Sequence, residues 1–229
     1  MTDIKGKWAL ITGASRGVGR QLALGLAAKG CNLVLHSRTV SHTAELSAEL
    51  KKSGITVHEL EADLTDTEAA RRLAEKAEET SGGIDILYNN AAIMSPWHDP
   101  FTAPPEDYHK SFTVNVISLI VICDVIVPRM QKRGFGRVIN VTSGIQDQPE
   151  LTPYAISKAA VDKYVKDLAG HLSGTGVVMS LLDPGWLRTD LGGQNAPNAV
   201  ESVLPGALVP ALLENDAASG ILYRAQEYR

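Results

Sequence analysis

Tyr154-Ala155-Ile156-Ser157-Lys158 has the residue types and the spacing to do acid/base chemistry. The segment opens a helical pattern continued by Ala159, Ala160 and Val161, and an i, i+4 spacing puts phenol and ammonium on one face. A phenol titrates near a pKa of about 10, and an opposite charge within about 4–6 Å lowers it by roughly 1–3. The pair could then donate a proton to a carbonyl oxygen near neutral pH. The plain alternative is an amphipathic helix with a half-buried Tyr and a Lys that reaches for water. Upstream, the apolar run Val138-Ile139-Asn140-Val141 ends at Thr142-Ser143 and delivers a hydroxyl that could hydrogen-bond the same oxygen, or could satisfy loop backbone. Asn115 lies inside an apolar helical pattern, where an amide must be hydrogen-bonded. It is expected either to bridge helix, water and the Lys158 region or to be a purely structural amide. Such a set needs a hydride donor and no metal.

The donor's site is written near the start of the chain. Trp8-Ala9-Leu10-Ile11 leads into Thr12-Gly13-Ala14-Ser15-Arg16-Gly17-Val18-Gly19, and a helical pattern follows from Gln21 to Ala28. Glycines at a strand-to-helix junction let backbone approach a ligand, and the free N–H groups of the first helical turn favour phosphate. The Gly-x-x-x-Gly-x-Gly spacing differs from the general Gly-x-Gly-x-x-Gly fingerprint, so a dinucleotide is inferred from context, against a merely connecting turn. About twenty residues on, where an NAD site would carry an acid, stand His36-Ser37-Arg38. Ser37, Arg38 and Arg16 suit a 2′-phosphate, which predicts NADP(H), although either Arg alone could be a solvated surface charge. Asp63-Leu64 and Asn89-Asn90-Ala91-Ala92 end two further apolar runs. Asp63 could accept from an adenine amino group or cap a helix. The Asn pair could precede a close ribose passage or form an Asx turn.

The elements that must position these residues alternate. Strands are predicted over 7–12, 31–36, 55–60, 84–89, 136–142, 177–182 and 220–223, and helices over 17–29, 41–53, 66–81, 106–133, 152–172 and 198–214. This order argues an α/β doubly wound Rossmann fold, a seven-stranded parallel sheet with helices on both faces, in one domain over 1–229. The motifs fall at the carboxyl ends of strands, where such sheets bind ligands. A net charge of −4 with no basic run argues against a nucleic-acid partner. The longest apolar stretch, Val114 to Val127, contains Asn115, Ser118 and Asp124, and no secretory leader is evident. No membrane partner and a cytoplasmic location are expected. Cys31 and Cys123 are expected to be reduced core thiols.

Taken in order, Thr12-Gly13-x-x-x-Gly17-x-Gly19, Asp63-Leu64, Asn89-Asn90-Ala91, Asn115, Ser143, Tyr154-x-x-x-Lys158 and Pro184-Gly185-x-x-x-Thr189 make the chain resemble the short-chain dehydrogenases/reductases from Lys5 to about Tyr223. The resemblance implies an Asn115-Ser143-Tyr154-Lys158 tetrad. Tyr154 would be the acid/base, and Lys158 would lower its pKa and bind the nicotinamide ribose. Ser143 would orient the substrate oxygen, and Asn115 would hold a relay water. Pro184, Gly185, Trp186, Leu187 and Thr189 would embrace the nicotinamide and its neighbouring phosphate. Ala92 stands where the family usually has Gly. The interval from Ser143 to Tyr154 is shorter than the commonest one, leaving Thr142 as an alternative to Ser143. The segment Asp183 to Gly193 resembles small carbonyl-reductase-like members.

The reading that follows is NADP(H)-dependent reduction of a small-molecule ketone or aldehyde, or the reverse alcohol oxidation, by a homodimer or homotetramer. One alternative is reduction of a 3-oxoacyl thioester on a carrier protein, for which Arg129, Lys132 and Arg133 are candidates for a basic patch beside the pocket mouth, against the plainer reading of solvated surface charge. Another is a non-catalytic NADP-binding sensor or scaffold. Trp97, His98, Ile145, Gln146, Glu150 and Trp186 are expected to line the pocket.

Overall fold

The computed structural model describes residues 1–228. Its strands are β1 (Trp8–Ile11), β2 (Asn32–Ser37), β3 (Val57–Glu61), β4 (Ile86–Asn89), β5 (Gly136–Val141), β6 (Val177–Asp183) and β7 (Leu222–Arg224). They form one sheet in the order β3-β2-β1-β4-β5-β6-β7, parallel throughout. The α-helices are α1 (Gly17–Ala28), α2 (Ala44–Lys51), α3 (Thr67–Ser81), α4 (Pro105–Phe112), α5 (Ser118–Arg133) and α6 (Thr152–Leu168). The seven strands and the α/β doubly wound arrangement match the expectation, with boundaries moved by one or two residues.

Alternation along the strands builds two cores. Leu10, Val34, Leu87 and Val138 point to one face, where Leu73, Leu119, Ile122, Val161 and Val165 of α3, α5 and α6 cover them. Ala9, Ile11, Leu33, Leu35 and Ile139 point to the other, under Leu22 and Leu26 of α1 and Leu46 and Leu50 of α2. Cys31 and Cys123 are free and buried, and burial pushes both thiols up to about 12, as inert core thiols require.

Three expected helices are corrected. The 198–214 segment is not an α-helix; it forms 3₁₀ turns at Val200–Val203 and Gly206–Leu212. Pro205 and Pro210 remove ladder N–H groups, and Leu204, before the first proline, is extended. The turns still bury Val203, Ala207, Leu208 and Ala211 in the same core as α1. The 41–53 segment divides into a 3₁₀ turn, Val40–His42, and α2, separated where the Thr43 hydroxyl bonds to Val40 O. The 106–133 run is helical throughout but contains a π turn, Thr113–Ile117, between α4 and α5. By length and composition, Pro105–Arg133 could cross a membrane; here Ile122, Cys123, Ile126 and Met130 are buried in the core.

A buried imidazole fixes the strand ends that hold the glycine turn. His36, the next-to-last residue of β2, accepts the Gly13 N–H at Nδ1 (3.2 Å), and its Nε2 donates to Ala62 O (3.1 Å). One ring therefore joins the ends of β1, β2 and β3, and it must be neutral because Nδ1 accepts. Burial lowers its pKa from 6.5 to about 4. The unfolded chain takes up this proton first as pH falls, so the contribution is complete above pH 6.5 and lost between there and about 4. We expect denaturant midpoints to fall across that window by the equivalent of up to about 3 kcal/mol from this group. His36→Gln, which keeps donor and acceptor but cannot titrate, should flatten that part of the profile; an unchanged slope would exclude the clamp.

Candidate active site

The glycine turn is locked to the segment that leaves β4 by the Thr12 and Asn90 side chains. Thr12 Oγ1 accepts the N–H groups of Asn90 and Ala91, both at 3.0 Å, and Asn90 Nδ2 donates to Thr12 O (2.9 Å) and Gly13 O (3.1 Å). Gly13, at φ +67°, lies so close to β4 that a Cβ would sit 3.0 Å from Ala91 Cα. At Gly19 a Cβ would sit 2.2 Å from Gly13 O. Glycine is thus required by close approach at both ends of the turn. Asn90 has a structural task here, and Ala91 is the point of closest strand approach.

The turn opens onto the crevice between β1 and β4, where the strand order reverses. Among the described residues no acceptor takes the N–H groups of Ser15, Arg16, Gly17, Val18 or Gly19, and α1 has no acid in its first turn. Orphan donors at the positive end of a helix fit a pyrophosphate. Thr189 lies across this turn, with Cγ2 3.4 Å from where a Gly17 Cβ would be.

The outer groups divide. Arg38 is exposed and makes no ion pair among the described residues, and its charge helps lower the Asp63 pKa. Arg16 is tied instead to Asp190 in the loop after β6. Ser37 is buried and donates its hydroxyl to Thr39 O (2.7 Å), which leaves it no donor for a phosphate in this conformation. Asp63 uses Oδ1 for the Thr65 N–H and hydroxyl, the main cause of its lowered pKa; helix α3 is capped by Asp66. Leu64 is buried, and its carbonyl accepts the Ser118 hydroxyl.

At the ends of β5 and β6 the structure brings Ser143, Tyr154 and Lys158 together. Ser143 stands near enough to the Tyr154 hydroxyl to favour its ionised form, and its Oγ accepts the Ile145 N–H (3.2 Å), whereas Thr142 donates to Asp162. Ser143 and not Thr142 therefore faces the phenol. Lys158 is buried, its Nζ donating to Val141 O (2.8 Å) and lying 5.9 Å from the Tyr154 ring centre. Burial lowers the ammonium pKa to about 8, against the pull of Asp162. The expected lowering of the Tyr154 pKa does not occur in the free protein. Burial raises it, against the lowering influence of the neighbouring Ser143 hydroxyl, and the Asp183 charge raises it further.

Asn115 occupies the π turn, a feature frequent at functional sites. Its amide clamps Ile93, accepting from the N–H and donating to the carbonyl at 2.9 Å each, and also donates to Ser157 Oγ (3.0 Å). Ser157 in turn donates to Tyr154 O (2.7 Å). The side chain therefore ties the segment after β4 to α6, and Lys158 is not among its partners.

Beyond β6, Pro184 and Gly185 form a turn held from outside by Gln226, whose Nε2 donates to Pro184 O (3.0 Å). Leu187 is buried in the core, while Trp186 is largely exposed with Nε1 bonded to Gly192 O (2.7 Å). The rim loops are joined where His98 donates its N–H to Glu150 O, and the His98 ring pairs with Asp107 at 2.6 Å. Ala92 is half-buried just after Ala91, and Trp97 is exposed. His36, Ser157, Asp162 and Gln226 were missed by sequence reasoning. Only Ser157 carried a signal, lying one turn beyond Tyr154 on the same helix face.

The residues named as candidates for a basic patch do not lie beside the pocket. Arg129, Lys132 and Arg133 lie at the end of α5, just before β5 begins, and so at the amino edge of the sheet. Arg133 is held there by Glu78 (2.9 Å) and Ile84 O. A helix must end before the next strand can start, which puts its C-terminal charges opposite the carboxyl edge.

Comparison with known proteins follows this geometry. The profile of the short chain dehydrogenase family matches residues 7–199. An L-rhamnose 1-dehydrogenase (NADP(+)) of Thermoplasma acidophilum is 35% identical over 86% of this chain and 79% of its own length. A short chain dehydrogenase of Pseudocercospora fijiensis is 34% identical over 83% of this chain, and the match spans only 62% of that protein. The crystal structure of a blue fluorescent protein from a metagenomic library in complex with NADPH superposes with a TM-score of 0.86, at 26% identity over 97% of each chain. With a glycine turn at the switch point, a Ser143–Tyr154 contact beside a buried Lys158, and a family match over most of its length, the chain belongs to the short chain dehydrogenase family of oxidoreductases.

Proposed function

We propose that the protein is an NADP(H)-dependent oxidoreductase that interconverts a small-molecule carbonyl compound and the corresponding secondary alcohol, with Tyr154 as general acid/base. The observation that carries this reading is the buried Lys158 ammonium, held by Val141 O 5.9 Å from the Tyr154 ring centre, with Ser143 beside the phenol at the carboxyl edge of the sheet. A non-catalytic sensor would have no need to bury an ammonium beside a phenol.

The N–H groups of Ser15 to Gly19 would hold the cofactor pyrophosphate, and Arg38 the 2′-phosphate. Gly13, Asp63, Leu64, Asn90, Ala91 and Ala92 would border the adenosine half, and Pro184 to Leu187 with Thr189 the nicotinamide half. Bound nicotinamide supplies the hydride. Tyr154, kept protonated by burial, gives its proton to the substrate oxygen, and Ser143 donates a hydrogen bond to the same oxygen. Lys158 stabilises the phenolate that results until a proton taken up from solvent restores the Tyr154 hydroxyl. The NADP(+) in the name of the rhamnose dehydrogenase and the NADPH in the matched crystal structure support the cofactor assignment. The residues that would make the basic patch for an acyl-carrier substrate, Arg129, Lys132 and Arg133, lie at the opposite edge.

Three measurements test the reading. Tyr154→Phe should abolish single-turnover NADPH oxidation with a ketone while leaving NADPH affinity within a few-fold; near wild-type turnover would remove Tyr154 from the acid/base role. Lys158→Met should lose both rate and cofactor affinity yet unfold at the same or a higher temperature at pH 7. A Lys pKa of about 8 means that holding the charged form in the fold is unfavourable below that pH, and the substitution removes this burden. A large fall in unfolding temperature would show Lys158 to be structural. Arg38→Ala should weaken NADPH about 10- to 150-fold, the equivalent of roughly 1.5–3 kcal/mol for a charge-assisted bond, and scarcely change NADH. Equal losses for both cofactors would exclude 2′-phosphate recognition by Arg38.

A further inference from the structure

An anion of the chain's own stands at the phosphate cradle. Helix α1 carries no acid in its first turn, and Arg20, one turn beyond Arg16, is paired with Glu49. The carboxylate that reaches the glycine turn comes from the loop after β6, where Asp190 Oδ2 meets Arg16 Nη1 at 2.5 Å. The loop is folded to carry it there. Thr189 accepts the Gly192 N–H at Oγ1 (3.0 Å) and the Gly193 N–H at its carbonyl (2.8 Å), and a Cβ on Gly192 would lie 2.1 Å from Leu187 O. Thr189 in turn lies against Gly17, so the segment that bears Asp190 is seated on the turn that bears Arg16.

Arg16 and Arg38 flank one join. The Ala14 N–H donates to His36 O (2.9 Å) and the Gly13 N–H to the His36 ring, which ties the glycine turn to the exit of β2. Arg16 stands two residues beyond one side of this join and Arg38 two residues beyond the other, and both are exposed. A phosphate held by Arg38 therefore has Arg16 as its nearest second cation on the turn. Asp190 makes no hydrogen bond or ion pair among the described residues except with Arg16. A cation already paired in the free protein binds an incoming anion more weakly, by the fraction of molecules in which it is taken.

We propose that Asp190 is a specificity-determining residue for the cofactor. Its carboxylate holds Arg16 in the free protein, and Arg16 leaves it for the 2′-phosphate when NADPH binds. NADH has no such phosphate, so with NADH the Arg16–Asp190 pair stays in place. Asp190 thus restrains the preference for NADPH that the two arginines create, and because exposed ion pairs are weak the restraint is a few-fold. The inference rests on the 2′-phosphate reading of this strand end.

The test is a fluorescence titration of NADPH and of NADH, without turnover, on the wild type, Asp190→Asn, Arg16→Ala and the double variant. Asp190→Asn should tighten NADPH about two- to five-fold, the amount an exposed pair can withhold, and leave NADH within about 1.5-fold. In the Arg16→Ala background the same substitution should change neither cofactor, because the contested cation is gone. Equal tightening of both cofactors, or tightening that persists without Arg16, is plain charge repulsion and overturns the competition. NADPH binding that is unchanged or weakened by Asp190→Asn overturns it too, the weakened case making Asp190 a prop for the loop. A wild type that binds NADH as tightly as NADPH overturns the 2′-phosphate reading, and the inference with it.

Discussion

The Thr12 hydroxyl is the contact on which the rest of the site depends. It accepts two backbone N–H groups from the chain leaving β4, and Asn90 returns two bonds to the carbonyls of the glycine turn. Parallel strands buried on both faces leave polar chemistry only at their ends, and strand ends are where backbone groups lose their ladder partners. Here those orphan groups satisfy one another across the reversal point of the sheet. His36 extends the knot to β2 and β3, so the turn that presents its N–H groups to solvent is held from three sides. A rigid cradle of uncompensated donors follows from the way the sheet ends.

The electrostatics of the catalytic edge follow from burial before they follow from charge. Tyr154 and Lys158 are both removed from water, and both are pushed toward their neutral forms. The phenol is consequently protonated at neutral pH, the state from which the proposed reduction would start. The ammonium matters when negative charge forms on the phenol, an event absent from the resting protein. Sequence spacing alone suggested a lowered phenol pKa because it brought the pair together without giving the depth of burial.

The loops decide what reaches this edge. The His98–Glu150 link and the Arg16–Asp190 pair tie rim segments to each other and to the glycine turn. The cationic end of α5 is carried to the far side of the sheet, away from Tyr154. The rim of this edge is built from residues distant in sequence, which is usual for a site at strand ends.

By itself the sequence determined the fold class, because alternating apolar runs and 3.6-periodic segments leave few arrangements other than a helix-covered parallel sheet. It also placed Gly13, Gly17, Gly19 and Ser143 just beyond the exits of apolar runs, and Tyr154 and Lys158 on one face of the helix that follows. Tertiary structure alone decided what each side chain touches. Asn115 grips Ile93 and Ser157, Ser37 turns back to Thr39, Arg16 is taken by Asp190, and Ser143 rather than Thr142 meets Tyr154. Pro205 and Pro210 broke the 198–214 segment into 3₁₀ turns that still fill the core, so apolar periodicity survived while the backbone ladder did not. Periodicity and spacing record which face a residue occupies along its own element. Partners, burial and charge balance come from elements far apart in the chain, and these exist only once the sheet has closed around them.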